Sequence, residues 1–78
     1  MQIVVSGSTV YLGEVTSWTP ECLVMTNVAV VRMFLSSAEN LASLARSQPN
    51  EEALIRFPAS ITIPSPEVQI KIQCVWDA

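Results

Sequence analysis

The chain has 78 residues, half of them apolar and only 14% charged, against roughly a quarter charged in an average globular domain. This excludes a disordered chain, a long coiled coil and an extended charged tail, and the length allows one small domain. Seven acidic and four basic residues give a net charge of −3, which argues against a strong generic nucleic-acid binder, because such binding depends on Lys and Arg neutralising phosphates.

A domain of this size buries only about 60–65% of the surface its unfolded chain exposes. Half of the residues being apolar is more than a monomer readily hides, so the composition predicts an oligomer. There is no histidine, which removes the commonest general acid–base and metal ligand together with every Ser-His or Cys-His nucleophile. No enzyme, metal or cofactor is expected. Cys22 and Cys74 match no metal or redox spacing and are expected as reduced, partly buried thiols. Met1-Gln2-Ile3-Val4-Val5 lacks the basic start and long apolar run of a signal peptide, and no stretch approaches ~18 consecutive apolar residues. A soluble, cytoplasmic protein is the expectation, with neither a membrane nor a small-molecule substrate as partner.

Residues 2–5 are mostly β-branched and run into Ser6-Gly7-Ser8, which predicts a strand ending in a tight turn with Gly7 at positive φ. From Thr9 to Trp18 the alternation of Val10, Leu12 and Val15 holds only if its phase changes near Gly13, so a bulge or bend is expected there. Thr19-Pro20-Glu21 is the next turn. Cys22 to Leu35 is too apolar for a one-sided strand and too rich in valine for a helix. It predicts a long, bent strand buried on both faces for part of its length, with Asn27 as a buried polar residue held by a structural hydrogen bond. Ser36 and Glu39 have the capping-box spacing, and Leu41, Leu44 and Ala45 follow at helical spacing. A helix of about three turns is expected over about 36–47, ending at Ser47-Gln48-Pro49-Asn50. Ala53 to Phe57 reads as a strand stopped by Pro58, and Ile61-Thr62-Ile63 as another, bounded by Pro64 and Pro66. Val68, Ile70, Ile72 and Cys74 alternate with Gln69, Lys71 and Gln73, which predicts a strand with those four apolar residues on one face.

The segment from Ile3 to Val31 resembles the first signature segment of the Sm/LSm family: strand, glycine turn, strand with a central glycine, turn, apolar strand. Gly7 stands at the turn, Tyr11-Leu12-Gly13-Glu14-Val15 at the glycine-centred strand, and Leu23-Val24-Met25 at the core of the third strand. Ala53-Leu54-Ile55-Arg56 is similar to the start of the second segment, and the expected helix lies where the family has its variable linker. Two departures stand out. Thr19-Pro20-Glu21-Cys22 occupies the loop that carries the family's RNA-contacting Asp and Asn, and Phe57-Pro58 replaces the glycine after the arginine. The resemblance implies a mainly β fold, a small, strongly bent five-stranded antiparallel barrel (Sm-like or SH3-like) over residues 1–78, with a short helix inserted between strands 3 and 4. It also implies edge-to-edge assembly into a homo-oligomeric ring, which agrees with the surplus of apolar residues.

Arg56 is the nucleic-acid contact the resemblance implies, since the family places an arginine near the ring pore and a guanidinium binds phosphate or stacks on a base. The plainer reading is a solvated or interfacial arginine. Tyr11 and Trp18 are candidate base-stacking platforms, or core filling beside a barrel glycine. Glu51 with Glu52, and Glu14 with Glu21, read as solvated carboxylates. The leading functional expectation is an Sm-like homo-oligomeric ring that binds single-stranded RNA or scaffolds RNA-associated complexes through Arg56 with Trp18 or Tyr11. The alternative is a structural or protein-interaction ring without RNA. A monomeric adaptor is the third reading.

Overall fold

The computed structural model describes residues 1–32 and 37–76. The strand β1 (Gln2–Ser6) turns back into β2 (Thr9–Trp18) with Ser6 opposite Thr9. Only two residues form the loop, and Gly7, at φ 60°, is its one residue with positive φ. This is the pattern of a type II′ hairpin, which puts glycine first because a Cβ is disfavoured there. The next turn is held by the Thr19 hydroxyl, which accepts from the amides of Glu21 and Cys22 at 3.3 and 3.2 Å. β3 (Cys22–Val31) then pairs antiparallel with β2. The continuation of this strand expected to Leu35, and the helix-capping role expected of Ser36, fall on residues outside those described.

The bend predicted at Gly13 is present, and it takes two residues to make. Leu12 pairs with Ala29 and Glu14 with Thr26, so Gly13 faces both Asn27 and Val28 across a bulge. Asn27 sits in the left-handed region at φ 53°, a conformation Asn tolerates better than most residues. Its side chain is therefore exposed at the bulge, which corrects the expectation of a buried polar residue. A Cβ on Gly13 would lie 2.9 Å from the Thr26 carbonyl oxygen and 3.3 Å from the Val28 Cα. The strands approach too closely there for any side chain.

The helix α1 (Ala38–Arg46) starts at Ser37, whose hydroxyl accepts from the Asn40 amide at 3.2 Å. After a short 3-10 turn over Glu51–Ala53 come β4 (Leu54–Arg56) and β5 (Ile61–Pro64), and after a second such turn β6 (Val68–Gln73). The sheet order is β4-β3-β2-β1-β6, with β5 also on β3. β4 pairs with Val31 to Ala29 and β5 with Met25 to Cys22, while the Phe57 amide still donates to the Val28 carbonyl between them. β4 and β5 thus run along one edge of β3 as a single course interrupted after Phe57. Pro58 has no N–H for the ladder, and the bulge at Asn27 breaks the register opposite. Among the described residues the result is six antiparallel strands rather than the expected five, in one sheet that does not close into a barrel.

Two apolar clusters flank this sheet. Ile3, Val5, Val10, Leu12 and Val31 pack with Leu41 and Leu44 of α1 on one face. Val4, Leu23, Met25, Val28 and Ile63 form the other, which the curled sheet itself encloses. β1 is buried on both faces, with Ile3 and Val4 at 0% exposure. β6 departs from its predicted alternation. Val5 pairs with Ile70 but Ser6 with Val68, so a bulge at Gln69 inverts the phase. Ile72 and Cys74 join the helix-side cluster, Val68 packs in the opposite one, and Ile70 is 41% exposed.

Candidate nucleic-acid interface

The three residues singled out from sequence do not come together. Arg56 ends β4 opposite Ala29, which itself pairs with Leu12, and it borders a small cleft at that end of the sheet. Buried Leu12 and Ala29 and half-buried Leu54 form the apolar lining. Asn27, Gln48 and Trp76 join Arg56 around it. Trp18, half exposed at the far end of β2, borders a separate shallow depression with Thr19, Pro20 and Ser65. Tyr11 packs on the cluster inside the curled sheet, as do Val15 and Ile61. Cross-strand pairing explains the split. Leu12 and Tyr11 are successive residues of one strand and point to opposite faces, so the row carrying Arg56 lies behind the row carrying Tyr11.

Each group around the Arg56 cleft is placed by a local feature. Asn27 projects because the bulge puts it in the left-handed region. Gln48 follows the last turn of α1, whose cap Ser47 donates its amide to the Ser43 carbonyl. Trp76 is drawn in by two bonds from the C-terminal segment to the helix: its indole N–H donates to the Leu44 carbonyl at 2.7 Å, and the Val75 amide to the Ala45 carbonyl at 2.9 Å. With that N–H engaged, the indole has only its ring face to offer a ligand. A guanidinium, two carboxamides and an aromatic face converge here above an apolar floor. Sequence reading missed Gln48 and Trp76 because they lie on segments remote from Arg56. It missed the exposure of Asn27 because the bulge depends on the register of two strands.

The guanidinium is already engaged. Its Nε donates to one Glu51 carboxylate oxygen at 3.0 Å and an Nη donates to the other. This two-point ion pair holds the Glu51 carboxyl below the usual carboxylate range, first through the hydrogen bond from Arg56, and raises the Arg56 guanidinium in turn. Both partners are exposed.

At the other site, the Lys71 ammonium stands 5.4 Å from the centre of the Trp18 ring, within range of a cation–π interaction. Lys71 pairs with Val4 and Trp18 with Leu23, both residues of the enclosed cluster, so this contact spans the mouth of the curl. Cys22 is half-buried and Cys74 buried, and no disulfide joins them. Among the described residues no group of three or more His, Cys, Asp or Glu is placed to hold a metal ion, and no helix is long and apolar enough to cross a membrane. Comparison with protein-family models, with curated proteins and with solved structures found no match.

Proposed function

We propose that this chain is the subunit of an Sm-like homo-oligomeric ring that binds single-stranded RNA at the Arg56 cleft. The observation that carries the reading is the pair of sheet edges that no strand covers among the described residues. β6 ends the sheet on one side and the β4–β5 course ends it on the other. Each carries large apolar side chains in water: Ile70 at 41% exposure on β6, with Val75 at 79% just beyond it, and Ile55 at 50% with Phe57 at 40% on and after β4. An open edge presents unsatisfied backbone groups beside those side chains. Pairing one edge with the opposite edge of the next copy buries both, and a head-to-tail contact of this kind gives a ring when its rotation closes. The RNA assignment is supported by the cleft: Arg56 suits a phosphate, Asn27 and Gln48 offer donors and acceptors to base edges, and Trp76 offers a stacking face.

Light scattering on the purified chain at low and high salt tests the ring. A discrete mass of roughly five to eight subunits that survives salt is expected, and a monomer or simple dimer overturns it. RNA affinity that falls steeply with salt and is lost in Arg56→Ala is the expected sign of the cleft. A ring without RNA binding is the second reading, favoured by the net charge of −3 and by the carboxylate already on Arg56. A salt-stable ring with no affinity for RNA in either protein decides for it.

A further inference from the structure

We infer that Glu51 masks the Arg56 cleft, acting as a built-in carboxylate that an incoming phosphate group must displace. This rests on the reading of the cleft as an anion-binding site and adds its regulation. A guanidinium presents its donors in a planar fork that fits the two oxygens of a carboxylate or a phosphate in the same way. Here the Nε edge of that fork is closed by both oxygens of Glu51. Glu51 opens the 3-10 turn directly before β4, and its carbonyl accepts the Leu54 amide at the end of that turn. The turn thereby places the carboxylate beside the strand that carries Arg56. Its neighbour Glu52 lies on the same turn with the same charge, but the fork is closed by Glu51 alone among the described residues. A phosphodiester approaching Arg56 therefore either replaces Glu51 or sits against its negative charge, and both weaken binding. Exposed pairs of this kind are weak, so the mask lowers anion affinity by a small factor and lifts readily for a ligand with further contacts in the cleft.

The test needs no RNA. Inorganic pyrophosphate is titrated at low ionic strength into the full chain and its variants, while the Arg56 Nε–H signal is followed by NMR. Glu51→Gln is expected to lower the pyrophosphate midpoint about two- to fivefold, the worth of an exposed ion pair. Glu52→Gln, which removes the same charge from the same turn, is expected to give less than half that gain. Equal gains in the two variants overturn the mask and leave only a general charge effect. A fork that fails to respond to pyrophosphate in either the parent or Glu51→Gln overturns it as well. A labelled single-stranded oligouridine run in parallel separates this result from the proposed function. If the pyrophosphate results come out as expected but no variant binds the oligonucleotide, the RNA reading falls and the mask stands. If the oligonucleotide binds but Glu51→Gln gains nothing over Glu52→Gln with either ligand, the mask falls and the RNA reading stands.

Discussion

The two faces of the sheet are buried by different means. On one, a separate element does the covering: α1 sets Leu41 and Leu44 against Ile3, Val5, Val10 and Leu12. On the other, the sheet covers itself, curling until Val4, Leu23, Met25, Val28 and Ile63 meet, with no residue of α1 among the described members of the cluster. A docked helix can settle inward when a side chain beneath it shrinks. A curled sheet cannot, because its curvature is set by the backbone at Gly13 and Asn27. The difference also shapes the surface. The helix face ends in a cleft lined from β2, β3, β4, the end of α1 and the C-terminal segment, while the curled face ends in an aromatic–cation contact across its mouth.

The largest effects that would break this comparison come from truncating matched leucines. Leu23 is fully buried in the curl, and Leu41, on the inner face of α1, is 2% exposed. Leu23→Ala is expected to cost about 3–4 kcal/mol and Leu41→Ala about 2–3, because the cost of a buried truncation depends on how far its surroundings collapse. Denaturant titration at one protein concentration checks this, and a larger loss for Leu41→Ala would reverse the assignment of which side is rigid. Next come the glycines. Gly13→Ala meets backbone on the partner strand and is expected to cost about 2–3 kcal/mol. Gly7→Ala has open space but keeps its positive φ, for about 1–2 kcal/mol. Equal melting temperatures for the two variants would mean that the close approach at Gly13 contributes nothing to the bend.

The smallest effect is the pH dependence of the ion pair at the cleft. The folded pKa of Glu51 lies below its ordinary value of 4.5. The unfolded chain therefore takes up the Glu51 proton first as pH falls. The contribution of the pair is complete above that ordinary value and is lost as pH falls through the folded one. A stability difference between the parent chain and Glu51→Gln that is present at neutral pH is expected to shrink on acidification. A difference that grows on acidification would contradict the pairing.

Much of the local architecture is readable along the chain. Gly7 marks the hairpin, Gly13 the bend, the Thr19–Glu21 turn the second reversal, and the Leu41, Leu44 and Ala45 spacing the helix. These are effects of backbone freedom and side-chain periodicity within a few residues. At the helix start the described cap is Ser37, whose hydroxyl accepts from the Asn40 amide. The residue pattern marks Ala53 to Phe57 and Ile61 to Ile63 as two strands, and the count of five came from the resemblance; what escaped is that both run along the same edge of β3. Val68 was assigned to the wrong face because one extra residue, Gln69, inverts a period-two pattern, and only the pairing partner reveals an extra residue.

The candidate site was legible in one residue out of several. Arg56 could be named from its neighbours in sequence, but its surroundings come from the bulge at Asn27, the end of α1 at Gln48 and the C-terminal segment at Trp76. Composition, turns and the apolar periods within each element belong to the sequence by itself, since they follow from what each residue does to its own backbone and near neighbours. Which faces are enclosed, which edges stay open, and which charge closes on Arg56 were decided only by the tertiary structure. Those depend on inter-strand register, where one residue of slip turns a side chain from one face of the sheet to the other.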